Sequence, residues 1–267
     1  MTDKQTDLRA CIVCNRADQA VRYCHIDNSD YLQCGGCGLI YIDKPESTGE
    51  LYRAYSGGTF KSLRRRLIAP LRRFHHARHF AQSMARAAEI FDFARNQTAT
   101  TGGKYLDVGC NKGFLLAQGI RHGWDVFGCE LVPELIVPFC NTHRQYKKQV
   151  FQGRFCDVRK HFSADMFDLI TAIDVIEHFE DAVDDLSAIY RLLKPGGVFV
   201  IQTPDGACGN ALALGCAWGA LKPLEHLHLF NLDNLTSLAR RIGFNRTRGI
   251  DRPFEDADGN FVAVLYK

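Results

Sequence analysis

Tyr105-Leu106-Asp107-Val108-Gly109-Cys110-Asn111-Lys112-Gly113 is a short apolar run that carries one acid, turns through two glycines and opens into an amphipathic segment. A run of this kind suits a strand buried on both faces of a parallel sheet. Glycine in the turn after it lets the backbone approach a ligand with no Cβ in the way. The stretch therefore reads as a nucleotide-type cofactor pocket.

From this stretch onward, strand-like runs at 105–108, 125–129, 148–151, 167–173 and 198–202 alternate with helical segments, including one across 181–193. That order predicts an α/β fold with a doubly wound parallel sheet. After it the alternation breaks: 232–242 reads as a helix, 244–250 as a strand, and 259–266 as a last strand able to pair antiparallel with it. The small-residue stretch at 205–219 reads equally as a mobile cover over a site or as a short helix with Trp218 in the core.

The chain of 267 residues, 46% hydrophobic, has room for one large domain and a smaller module. No apolar stretch approaches the ~18 residues of a membrane span, and the polar start Met1-Thr2-Asp3-Lys4-Gln5 is unlike a secretory signal, so a cytoplasmic chain is expected. The formal charge of +3 is unevenly spread. Lys61, Arg64, Arg65, Arg66, Arg72, Arg73, Arg78 and Arg86 put eight cations and no acid into 61–86. A phosphate, an anionic membrane surface or RNA would be met there, and a solvated helix face explains the pattern equally well. Leu63, Leu67, Leu71 and Phe74, continued by Ala77, Ala81, Met84 and Ala88, form a helical stripe that Pro70 is expected to kink.

Of the 11 cysteines, four fall into two knuckles, Cys11-Ile12-Val13-Cys14 and Cys34-Gly35-Gly36-Cys37. Two C-x-x-C turns about 20 residues apart can close a tetrahedral thiolate site, which points to structural zinc. Cys24 and His25 are spare candidates, and Cys129, Cys140, Cys156, Cys208 and Cys216 read as small buried hydrophobes rather than disulfide partners. The organisation that results is a zinc-ribbon-like module over 1–45, a basic helical linker or cap over 46–100, and a cofactor-binding domain over 101–267.

Several motifs in this order resemble the class I methyltransferases that use S-adenosylmethionine. Leu106 to Gly113 is similar to that family's first motif, Gly128-Cys129-Glu130 ends the second strand in an acid, and Phe167 to His178 resembles its fourth strand and the helix after it. Leu192-Leu193-Lys194-Pro195-Gly196-Gly197 resembles the turn before its fifth strand. The resemblance implies a Rossmann-like seven-stranded sheet and S-adenosylmethionine held by Asp107, Gly109, Cys110, Asn111, Gly113, Glu130, Phe155, Ile173 and Asp174. A carboxylate such as Glu130 can accept both hydroxyl protons of a ribose. Asn111 stands where the common motif has glycine, and asparagine tolerates left-handed backbone better than most residues.

With its four-cysteine module, the chain looks like bacterial sugar-modifying methyltransferases, in which a segment similar to Glu225-His226-Leu227-His228-Leu229-Phe230 lies after the fifth strand. That resemblance implies His226 as general base, Glu225 as its orienter or a substrate contact, and a sugar, glycan precursor or related small metabolite as acceptor of a methyl group on carbon or oxygen. Those enzymes carry a tyrosine shortly before the pair, where this chain has Leu221-Lys222-Pro223-Leu224. Two other functions fit the same features: an RNA base methyltransferase that binds RNA through the zinc module and basic helix, and a noncatalytic partner-binding scaffold.

Overall fold

The computed structural model describes residues 8–44, 69–250, 254 and 259–267, with the side chains of the helix that begins at Ala69 described from Phe80 onward. The cationic run at 61–66 and the stripe positions Leu63 and Leu67 lie outside the described residues. Helix α1 (Ala69–Arg95) runs unbroken, and Pro70 starts it rather than kinking it. In the first turn of a helix the missing N–H has no intrahelical partner to lose, and the fixed φ of proline is already helical. The buried face of α1 is Ala87, Ile90, Phe91 and Ala94, so the apolar stripe continues beyond the expected Ala88 in a slightly rotated register.

The central sheet is assembled from β4 (Lys104–Val108), β5 (Asp125–Glu130), β6 (Val150–Gln152), β7 (Phe167–Ile173), β8 (Leu193–Pro204), β10 (Arg246–Ile250) and β11 (Asn260–Tyr266). It has seven strands in the spatial order β10-β11-β8-β7-β4-β5-β6. Pairing is parallel from β6 through β8, whereas β11 is antiparallel to both β8 and β10. Helices α2 (Phe114–Arg121), α3 (Pro133–Thr142), α4 (Phe155–Val158), α5 (Ala182–Leu192), α6 (Gly209–Leu214) and α7 (Leu232–Ile242) complete the framework. The chain enters the sheet at its middle, builds outward through β5 and β6, then returns to place β7 on the other side of β4. That reversal opens a crevice beyond the carboxyl ends of β4 and β7, the place where open α/β sheets bind ligands.

The strands obey the burial expected of a covered sheet. Tyr105, Leu106 and Val108 on β4, Leu169 and Ile170 on β7, and Val198 to Ile201 on β8 are essentially excluded from solvent. Helix α5 is started by Asp181, whose side chain accepts the Asp184 N–H at 3.0 Å, and α7 by an Asn231–Asn234 capping box. Each satisfies amide donors that a helix start otherwise leaves unpaired.

A second sheet of four antiparallel strands joins β1 (Ala20–Ile26), β2 (Ser29–Cys34) and β3 (Ile40–Ile42) to β9 (His228–Leu229) in that order. The N-terminal module thus completes its sheet with a strand from the far end of the chain. The fully buried Tyr31 donates its hydroxyl to the His226 carbonyl at 2.8 Å, and the Ile42 N–H donates to the Leu227 carbonyl at 3.1 Å. Cys24 and Cys216 form a disulfide. Cys24 is therefore no spare metal ligand, and Cys216 is an exposed crosslinked residue rather than a buried hydrophobe. Trp218 is buried at 5% exposure in one apolar cluster with Tyr31, Ile40 and Leu227, while Leu212 on α6 is 76% exposed, so 205–219 combines a core tryptophan with an open apolar helix face.

Candidate functional site

Two clefts meet at the carboxyl ends of β4 and β7, sharing Gly109, Asn111 and Ile173 in their walls. One, of about 340 Å³, runs past Glu130, Leu131, Phe155, Asp174 and His178. The other, of about 320 Å³, is walled by Asp107, Cys110, Lys112 and by Ser83 and Arg86 of α1. Together they form an elongated groove with an aromatic end and a polar end.

The loop between the clefts has the backbone that its residues require. Gly109 has φ +72°, and a Cβ there would come within 2.5 Å of Val175 Cγ2. Asn111 sits at φ 46°, the left-handed region that asparagine enters at modest cost. Gly113 has φ +73°, and a Cβ there would meet the Phe139 ring at 2.6 Å. It caps the start of α2, so it shapes the loop from behind. Cys110 presses its sulfur toward Gly128, where any side chain would meet it at 3.0 Å.

Glu130 is 8% exposed at the end of β5. Its Oε2 accepts the Asn111 N–H at 2.8 Å and its Oε1 the Val132 N–H at 2.8 Å. The carboxylate staples the glycine loop to the start of α3. Each oxygen keeps a second lone pair for a ligand, so the group can also receive a diol. Asp107, 2% exposed, accepts the Thr171 hydroxyl at 2.6 Å, and Thr171 in turn meets the Tyr105 hydroxyl at 2.7 Å. Burial, opposed by the Thr171 hydrogen bond and reinforced by the nearby Glu130 charge, pushes the Asp107 carboxyl up to about 7. A cation entering the polar end would draw it back into the ionised form.

Phe155 opens α4 with 5% exposure and stacks on Phe179 with ring centroids 6.1 Å apart, giving the first cleft its aromatic wall. Asp174, directly after β7, sits at φ 56°, an uncommon conformation for a residue with a side chain. Gln202 and Asn260 hold its carboxylate through hydrogen bonds of 3.1 and 3.2 Å, and Arg86 comes within 3.9 Å.

At the end of the 3-10 turn Ile176–His178, His178 lines the cleft and stands beside His226 with ring centroids 5.0 Å apart. His226 is 7% exposed, and its Nδ1 lies 2.7 Å from the Ala220 carbonyl oxygen. The backbone carbonyl of Ala220 therefore orients its ring. The Glu225 carboxylate approaches Lys222 at 3.7 Å, and its carbonyl oxygen lies 2.6 Å from His178 Nδ1. Burial lowers both histidines, His226 to about 3, which keeps both rings neutral. Behind them Glu177, 1% exposed, accepts the Thr203 hydroxyl at 2.9 Å and is pushed up to about 8 by burial and then by the Asp174 charge.

In the N-terminal module Cys11, Cys14, Cys34 and Cys37 bring their sulfurs within 4.8 Å of one another, with Cys11 and Cys37 3.5 Å apart. A tetrahedral ion with bonds of about 2.3 Å spaces its thiolates roughly 3.8 Å apart, so the donor set and its dimensions fit zinc. Hydrogen bonding to Cys37, with help from the Val13 and Cys14 amides, holds the Cys11 thiol below its ordinary value. The bend at Gly38, φ +75°, returns the chain from the second knuckle into β3.

Thr171, Glu177 and Arg86 are site residues that sequence reasoning missed. Thr171 and Glu177 did leave a signal, as polar residues within or directly after the apolar run Phe167 to Ile176. Arg86 left none, because its place at the groove depends on how α1 packs across the sheet.

The sequence profile of the methyltransferase domain family matches residues 74–248. Ubiquinone biosynthesis O-methyltransferase of Cereibacter sphaeroides is 33% identical over 108 residues, 38% of this chain and 41% of that protein. The Xanthomonas campestris protein of the same name is 31% identical over 115 residues, 42% of this chain and 47% of its own length. The alignments thus span less than half of these relatives. Among solved structures, an S-adenosylmethionine-dependent methyltransferase from Archaeoglobus fulgidus superposes with a TM-score of 0.54 at 16% identity, covering 69% of this chain and 92% of that one. An O-methyltransferase fold from Nostoc punctiforme gives 0.52 at 17% identity, covering 68% and 55%. Both agree with the seven-stranded sheet.

Proposed function

The chain belongs to the methyltransferase domain family, and on that basis we propose that it uses S-adenosylmethionine to O-methylate a hydroxyl of a sugar, glycan precursor or related small metabolite. The supporting observation is the neutral His178–His226 pair, ring centroids 5.0 Å apart, with His178 in the wall of the first cleft. A noncatalytic scaffold is set aside by the family membership.

In this reading Glu130 takes the ribose hydroxyls of the cofactor, Phe155 and Leu131 flank its base, and Asp107, with the loop at Gly109, Cys110 and Asn111, receives the amino-acid end. Ile173 and Asp174 close the groove between the two ends, and Gly113 keeps the loop in shape. When bound, the cofactor supplies an electrophilic methyl group. The protein has to align the acceptor oxygen with that methyl and remove its proton. His226, packed against the cleft-lining His178, is the proton acceptor in this assignment. Tyr31 of the N-terminal module fixes the His226 backbone, which gives that module a reason to be present. Zinc held by Cys11, Cys14, Cys34 and Cys37 would keep β1 to β3 folded under β9.

Carbon methylation would need an enolisable keto acceptor. The name of the relatives, ubiquinone biosynthesis O-methyltransferase, favours oxygen. Incubation of the purified protein with methyl-labelled S-adenosylmethionine and a panel of nucleotide sugars, glycosides and catechols, followed by mass spectrometry, tests the proposal. The expected product is a methyl ether whose formation falls at least tenfold in His226→Ala. Label appearing in RNA, or full turnover in His226→Ala, overturns the acceptor or the base assignment respectively.

A further inference from the structure

Cys24 of β1 and Cys216 of the 3-10 turn Gly215–Ala217 are joined by a disulfide across 192 residues of sequence. The remaining cysteines of the chain are free thiols. Cys11, Cys14, Cys34 and Cys37 among them face one another as a cluster in the same N-terminal module. Such a cluster binds metal only while its sulfurs are reduced, since the ligand is the thiolate. The module therefore carries one sulfur site that needs reducing conditions and one that needs oxidation. In a setting that keeps the first, a crosslink with one exposed partner is of the kind that cycles.

The two sulfurs differ in access. Cys24 is buried, whereas Cys216 is an exposed residue. A small thiolate such as glutathione can attack the Cys216 sulfur, forming a mixed disulfide there and expelling Cys24 as a thiolate that takes up a proton. A second small thiolate then attacks the sulfur of the first, releases the small-molecule disulfide and leaves Cys216 to be protonated. Two small thiols are oxidised, the protein disulfide is reduced, and the small-molecule disulfide reverses both steps.

The crosslink holds the segment that leads to His226. From Cys216 the chain runs Ala217-Trp218-Gly219-Ala220, and the Ala220 carbonyl oxygen lies 2.7 Å from His226 Nδ1. A carbonyl oxygen only accepts, so Nδ1 carries the proton of this bond. Cys24, Ala211, Trp218 and Leu221 share one buried cluster with Tyr31 and Leu227, and the Tyr23 hydroxyl donates to the Ala211 carbonyl at 3.2 Å. The rest of the segment is loosely held. Leu212 and Leu214 of α6 are 76% and 51% exposed. Gly209 and Gly219 flank the crosslinked stretch at places where a Cβ would meet nothing within 4 Å. Packing does not call for glycine at either place, and both leave the backbone free to pivot. Among the described residues the disulfide is the one covalent tie between this segment and β1.

We propose that the Cys24–Cys216 disulfide is a reversible thiol-redox switch that fixes 209–220 and the ring of His226 when closed, and releases both when a small thiol opens it. The cofactor groove is carried by the other sheet, with Asp107 on β4, Glu130 on β5 and Gly109 in the turn after β4, so it keeps its shape in both states. The effect of the switch on turnover rests on the O-methylation reading with His226 as base. Its effect on the 209–220 segment does not.

The test equilibrates the full, zinc-loaded chain with reduced and oxidised glutathione at fixed ratios. Free thiols are then alkylated and located by mass spectrometry, with zinc content followed in the same samples. Reversible conversion of Cys24 and Cys216 is expected, with the four-cysteine cluster unchanged. On reduction, amide hydrogen exchange at 209–220 should quicken by at least about tenfold, and the His226 Nδ1 proton, followed by imidazole NMR, should lose its protection. S-adenosylmethionine affinity, measured by calorimetry, should change by less than about twofold. Cys216→Ser should behave as the reduced protein in every buffer, and its S-adenosylmethionine binding reports that it has folded. The switch is overturned by a pair that stays oxidised in millimolar reduced glutathione, by one that never forms in oxidised glutathione, or by exchange at 209–220 that ignores the state of the pair. Equal turnover in both states removes the control over His226. A protein that methylates no hydroxyl refutes the O-methylation reading, and the exchange and NMR measurements still decide the switch.

Discussion

Replacing Glu130 with glutamine removes one charge and one acceptor while keeping nearly the same shape. In the native protein the two carboxylate oxygens accept the amides of Asn111 and Val132, each at 2.8 Å. Glutamine can satisfy only one of them, because its NH₂ must then face the other N–H. An unpaired buried N–H costs about 1–3 kcal/mol, and this part of the loss falls on the protein without ligand. For a domain of this size it lowers the melting temperature by roughly 2–4 °C per kcal/mol. The second part falls on the cofactor. A hydrogen bond to a charged group contributes about 1.5–3 kcal/mol, and loss of one ribose contact should weaken binding by roughly 10 to 100-fold. Calorimetric titration with S-adenosylmethionine and S-adenosylhomocysteine measures the second part, and thermal melts of the ligand-free protein measure the first. Equal weakening for both ligands is expected, since the ribose is common to them. An unchanged melt together with unchanged affinities would refute both the stapling role and the ribose assignment.

Gly113→Ala places a Cβ 2.6 Å from the Phe139 ring at φ +73°. Urea unfolding should show a loss of about 1–2 kcal/mol from the backbone alone, more if Phe139 cannot move. Asp107 provides a pH test. Its folded carboxyl titrates at about 7, well above the ordinary value, so its contribution to stability is fully present below pH ~4 and is lost as pH rises through ~7. Unfolding of the free protein should lose this pH slope in Asp107→Asn. S-adenosylmethionine affinity, which needs the ionised form, should rise from pH 6 to 8 in the native protein and stay flat in the variant. For the thiolate site, a zinc-sensitive dye after denaturation should report one zinc per chain, and Cys14→Ser should lower both that content and turnover, because Tyr31 and β3 hold the segment carrying His226.

The glycine turn and the acid to which we assign the cofactor were legible as structural elements because their residues are local. Asp107 through Gly113 form one strand-to-helix turn, and Glu130 closes the next strand, so strand periodicity and glycine position place them without knowledge of distant contacts. The two cysteine knuckles were legible for the same reason, each ligand pair being set by a single turn. The disulfide of Cys24 with Cys216 was not, since the two are 192 residues apart and nothing in their spacing selects one partner from 11 cysteines. Pro70 reads locally as a kink because the start of its helix, on which its role depends, has no strong mark in the sequence.

Periodicity and short-range turns were enough to specify a doubly wound sheet, a glycine turn at its centre and a four-cysteine cluster before it. The proposed acceptor side, in contrast, exists only in the folded chain. His226 meets His178 and Glu177 only after β9 pairs with β3 and Tyr31 grips the His226 carbonyl, and Arg86 reaches the groove only through the packing of α1. Such contacts join residues tens to hundreds of positions apart, and their geometry comes from buried packing and strand register rather than from any local pattern.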